Sequence, residues 1–177
     1  MTIAMFTKSA AAAAGTQRLL GKDDIYVAAV PLRAAKGPPQ LLMSAAYSLN
    51  LSWDLQHFMV IIKPTSPPRQ AAVVFDFQPR DPEDVLTALA VMSGRSVPGA
   101  VFRRTLKGLP RRRCWYVGSA GDGEQVAAEF SDKWSTYLKV GSHDCRHFTN
   151  GLVEILTGEE LVLEKLRTNL SMESNTT

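Results

Sequence analysis

Acidic residues are missing from two long stretches of this chain, and cysteine is scarce throughout. No Asp or Glu occurs in residues 1 to 22, nor between Val85 and Gly121. The only cysteines are Cys114 and Cys145, which excludes a disulfide framework and fits a reducing compartment where thiols persist free. Long apolar runs are also absent: none approaches the ~20 residues a membrane helix needs, so no transmembrane segment is expected. Histidine is limited to His57, His143 and His147. The spacing of His143, Cys145 and His147 matches no zinc-ligand pattern and no second ligand pair exists, so neither a metal nor another cofactor is expected.

What is present describes one ordinary folded unit. The chain has 177 residues, 45% hydrophobic and 21% charged, enough for a single domain with a sizeable core, placed at residues 23–170. Residues 1–22 carry Lys8, Arg18, Lys22 and the run Ala10 to Ala14. That acid-poor composition suits either a disordered tail in front of a cytoplasmic protein or a transit segment for plastid or mitochondrion. Residues 171–177 read as a polar tail. The net charge of +3 is too mild to argue for nucleic acid, and no interleaved stacking aromatics support it. Within the acid-free stretch, however, Arg95, Arg103, Arg104, Lys107, Arg111, Arg112 and Arg113 cluster. Two readings fit: a solvated strand and loop face, or a surface for an anionic partner such as phosphate, acidic protein or lipid head group.

Strands are expected at Ile25 to Leu32, His57 to Lys63 and Ala71 to Phe77. The last two are apolar on both faces and joined by a short Pro-rich turn, so they should form a central antiparallel pair. Gln40 to Leu49 fits helix and strand equally. A helix should open at Asp81, with Pro82 at its first position, bury Val85, Leu89 and Met92, and stop at Gly94. Further strands are expected at Ala100 to Leu106 and Cys114 to Ser119. A helix over Glu124 to Trp134 should bury Val126, Phe130 and Trp134. Asp144 to Thr157 reads as a helix stopped by Gly158, and Glu159 to Leu170 as another.

The start of the Asp144 helix carries the chemistry. With Asp144 as cap, Cys145 falls in the first turn, where unpaired N–H groups and the positive dipole end favour a thiolate. Cys145 then shares the core-facing side with Phe148, Thr149, Leu152 and Leu156. A thiolate nucleophile needs a base in reach. His143 and His147 flank Cys145 at a spacing that points them away from it on a helix. His57 opens a central strand, where a histidine is either a satisfied core residue or such a base. Cys114, between Arg113 and Trp115, reads as an inert core or edge thiol.

The segment Asp144-Cys145-Arg146-His147-Phe148, followed by Asn150, Leu152 and Leu156-Thr157-Gly158, resembles the Asn-Cys-x-His-Phe helix of two related groups. These are the PPPDE thiol peptidases and the lecithin–retinol acyltransferase-like proteins. His57-Phe58-Met59-Val60-Ile61-Ile62 is similar to their His-bearing strand, and Tyr137-Leu138 to the segment before their Cys loop. The resemblance covers roughly residues 55 to 158. It implies an α+β, circularly permuted papain-like fold with a small, mostly antiparallel sheet packed against helices. It further implies Cys145 as nucleophile, His57 as base, His147 in a structural place, and Asp76 or Gln78 on the next strand orienting the imidazole. The substrate would be an amide, isopeptide, thioester or ester of a protein or lipid-like molecule. Asp144 departs from the usual Asn, placing a negative charge that would raise the thiol pKa, and the acyltransferases' second His has no clear counterpart. The alternative is therefore an inactive binding module of the same fold, using Arg103, Arg104, Arg111, Arg112 and Arg113 for an anionic partner.

Overall fold

The computed structural model describes residues 21–31, 56–65 and 71–174. The stretch 1–20, with most of the proposed transit segment, and the ambiguous Gln40 to Leu49 segment lie outside the described residues.

Six strands form one sheet: β1 (Asp23–Pro31), β2 (Gln56–Lys63), β3 (Ala72–Pro79), β4 (Val97–Leu106), β5 (Cys114–Ala120) and β6 (Tyr137–Leu138). Their spatial order is β5-β1-β2-β3-β4-β6, and every neighbouring pair is antiparallel. Four helices accompany the sheet among the described residues: α1 (Val85–Met92), α2 (Gly123–Lys133), α3 (Cys145–Thr157) and α4 (Val162–Ser174). The architecture is α+β, as the residue pattern predicts. No described helix is long and apolar enough to cross a membrane.

The unbroken apolar run of β2 explains its central place, since Gln56 to Ile62 are all buried and both faces are covered. On one face Phe58, Val60, Ile62, Phe75 and Phe77 pack with Phe148, Leu152 and Val153 of α3. On the other, Ala28, Met59, Ile61, Ala72 and Val74 form a smaller cluster with Tyr26, Leu106, Leu109 and Cys114 at its margin. Burying each Phe or Leu of this kind is worth roughly 1.5–3 kcal/mol. The central pairing has Val60 opposite Phe75 and Ile61 opposite Val74.

Three details differ from the pattern read in the sequence. The α1 cap is Asp84, whose carboxylate accepts from Thr87 N at 2.7 Å. Asp81 instead accepts from Asp84 N through its backbone carbonyl, at 3.2 Å, so Asp81 to Asp84 is a turn ahead of the helix. The expected α1 core stripe is solvent-facing, with Val85, Leu89 and Met92 each more than two-fifths exposed. Spacing at 3.6 residues supplies a stripe, but no element of the described residues buries it. Finally, α4 starts at Val162 and runs to Ser174, because Leu161 adopts a left-handed φ of 52° that breaks the chain from α3.

Strands β4 and β5 are neighbours in sequence and far apart in the sheet. The Lys107–Arg113 connection carries the chain from the β3 side to the outer edge of β1, and Leu109 packs on the smaller cluster along the way. A β-bulge between Ile25 and Tyr26 adjusts the β1–β5 register beside Gly118.

Candidate active site

The site is assembled from β2, β3, β4 and the start of α3. His57 is the second residue of β2, opposite Val30 of β1, and is 8% exposed. Asp76, on β3 between Phe75 and Phe77, is fully buried. A carboxylate in such surroundings must be paired, and it is. His57 Nε2 and Asp76 Oδ2 are 2.8 Å apart. Arg104 of β4 donates through its NH2 group to the same Oδ2, also at 2.8 Å.

Cys145, at the start of α3, lies near enough to the His57 imidazole to influence its protonation. The half-buried thiol packs against the main core. Cys145 and Asp76 therefore both act on one imidazole. Burial by itself would push His57 down, but hydrogen bonds to Asp76 and Cys145, and the charges on both, outweigh it and bring His57 up to about 9. Of the two candidates for the third group, the structure brings Asp76 to His57; Gln78 lies two residues further along β3.

Local sequence explains how Cys145 is delivered. Asp144 caps α3 with a capping box: its carboxylate accepts from the backbone of Arg146 and His147, and the His147 side chain reaches back to Asp144 N. Asp144 also takes Gly141 N at 2.7 Å and lies 2.9 Å from His147 Nδ1. Burial alone would push its carboxyl up; the bonds from Gly141, His147 and Arg146 outweigh that and hold it below the usual range. The Asp144 charge is thus engaged by the cap, and His147 has a structural role. At the far end, Gly158 stops α3 with φ 78°.

The loop before Cys145 is held by an aromatic sandwich. The His143 ring stacks on Trp134 at 4.6 Å and on Tyr137 at 4.2 Å, and its Nδ1 lies 2.6 Å from the Tyr137 carbonyl. No sequence signature announces this arrangement, and nothing in the spacing of the three residues would have found it.

The basic segment divides. Arg104 belongs to the site. Arg103 pairs with Glu124 of α2 and lies over the Phe75 ring. Arg111, Arg112 and Arg113 are exposed in the loop before β5, where the Arg113 carbonyl accepts from Ala29 N at 2.9 Å. Cys114, the first residue of edge strand β5, is half-buried, and burial pushes its thiol up. Among the described residues no group of three His, Cys, Asp or Glu side chains is placed to hold a metal ion.

Comparison with protein-family models, with curated proteins and with solved structures finds no match to this chain.

Proposed function

We propose that the protein is a thiol-dependent hydrolase or acyltransferase working through Cys145, His57 and Asp76. The observation that carries this reading is a single imidazole 2.8 Å from a buried carboxylate, with its protonation also influenced by a thiol at a helix start. Thiol, base and orienting acid in that order form the arrangement needed for nucleophilic acyl transfer.

The chemistry runs as follows. The Cys145 sulfur, its proton transferred to His57, attacks an acyl carbonyl and forms a carbon–sulfur bond while the carbonyl oxygen becomes an oxyanion. His57 then gives the proton to the leaving amine or alkoxide as the carbon–heteroatom bond breaks. Water, or a second acceptor molecule, attacks the thioester and releases the product, with His57 taking and returning the proton. The cap on α3 engages the N–H groups of Arg146 and His147 but not that of Cys145, which suits the Cys145 N–H to the oxyanion. The His strand, Asp strand and late Cys helix occur in the order of a circularly permuted papain-like fold, and the antiparallel sheet is compatible with it.

The test is labelling of the native full chain by an electrophilic acyl-type probe, read by mass spectrometry. Modification at Cys145, abolished in Cys145→Ala and reduced in His57→Ala, is expected. Modification confined to Cys114 defeats the proposal.

A further inference from the structure

The two bonds to Asp76 converge on one oxygen. Arg104 Nη2 and His57 Nε2 both lie 2.8 Å from Oδ2, while Oδ1 is buried with no partner among the described residues. The orientation of the carboxylate is therefore fixed through Oδ2, from β4 on one side and β2 on the other. We propose that Arg104 is a positioning residue for the reaction proposed above. It holds Asp76 facing the imidazole and draws on part of the carboxylate's charge, so that His57 is firmly oriented but releases its proton more readily than beside an unshared carboxylate.

The physical case is a competition between two cations for one acceptor. Arginine stays protonated at every accessible pH. Asp76 is out of water while Arg104 is half-exposed, so its attraction for Asp76 and its repulsion of an imidazolium on the same oxygen act at short range with partial solvent screening. A lone buried carboxylate would hold the imidazolium too tightly for efficient donation to a leaving group, since a good acid–base catalyst titrates near the working pH. Among the described residues, the other groups facing His57 do not supply this restraint. Cys145 from α3 and Asp76 from β3 both favour the charged ring. The cross-strand neighbour on β1 is Val30, and Asp144 is engaged by Gly141, Arg146 and His147. Arg104 is half-exposed on its outer side, so its replacement leaves no buried hole.

The inference rests on the thiol-enzyme reading for its purpose, yet its test reads the imidazole directly. The His57 ring is titrated by NMR in the full chain, with His143 and His147 distinguished by substitution. In Arg104→Gln the His57 pKa is expected to rise by about one unit, and Arg104→Lys, which keeps the charge, should titrate close to wild type. Arg104→Met serves as the neutral variant if the glutamine form does not fold. An unchanged or lowered His57 pKa in the neutral variant overturns the proposal, as does failure of all three variants to fold, which would make Arg104 a structural residue. Cys145→Ala separates the two readings: if the thiol does not touch the ring, that variant leaves the His57 titration in place, whatever Arg104 does.

Discussion

The His57 imidazole meets the Asp76 carboxylate at 2.8 Å, with the acid wholly out of water. An anion in that position fixes the ring orientation through Nε2 and stabilises the charged form of the ring. Asp76→Asn keeps the shape and removes the charge. The rate of Cys145 alkylation by iodoacetamide at neutral pH is expected to fall by about 100-fold, the lower end of general-base contributions. A rate equal to wild type would remove Asp76 from the site.

Folding stability should fall as the solution is made alkaline. The ring binds its proton more tightly folded, with pKa about 9 against an ordinary 6.5. Its contribution is then fully present below about 6.5 and disappears as pH rises through 9. Urea unfolding of the reduced protein at pH 6.5 and 9.5 should show that loss, on the order of 3 kcal/mol, and His57→Gln should flatten it. A wild-type profile as flat as the variant's would contradict the paired ring.

Asp144 caps α3, and Asn caps helices about as well as Asp. Asp144→Asn is therefore expected to keep the stability near neutral pH within about 0.5 kcal/mol, whereas Asp144→Ala should lose roughly 1–2 kcal/mol. The aspartate's own contribution is present above its unfolded pKa and lost as pH falls through its lower folded value. Thermal unfolding of the three forms at pH 7 and pH 3 checks both statements; equal stability of the alanine and asparagine forms would refute the capping account.

Gly118 carries a positive φ of 149° at the bulge between β5 and β1, and a Cβ there would lie 2.9 Å from Thr157 Cγ2. Thr157 ends the Cys helix, so a side chain at 118 presses on the element that carries the nucleophile. Gly118→Ala is expected to cost about 2–3 kcal/mol from backbone strain and crowding together. Thr157→Ala in the same chain should recover part of it. A neutral Gly118→Ala would show that the bulge relaxes freely.

Much of the site was legible because two of its parts have local signatures. Asp144 and Gly158 bracket α3 by cap chemistry, and Phe148, Thr149, Leu152 and Leu156 give its buried face at helical spacing. His57 and Asp76 stand out as polar residues in apolar strands, which already demands partners. Arg104 was legible only as one charge among many. Its link to Asp76 depends on β4 lying beside β3 in a register that sets Asp76 opposite Phe102, and nothing local encodes that alignment. The α1 stripe failed for the complementary reason: periodicity identifies a side that is apolar, while burial depends on what other chain segments cover it.

Strand β1 sits between β2 and β5, although β5 arrives late in the chain. Its pairing with β5 joins Asp23 to Ala120, a contact that closes only when most of the polypeptide is available, and such remote pairing is slow. His57, Asp76, Arg104 and Cys145 are likewise spread along the chain, so no early fragment holds both the sulfur and its base. Chemical activity of the thiol consequently serves as a clock for completed folding: it should switch on in the last kinetic phase of refolding, together with native packing.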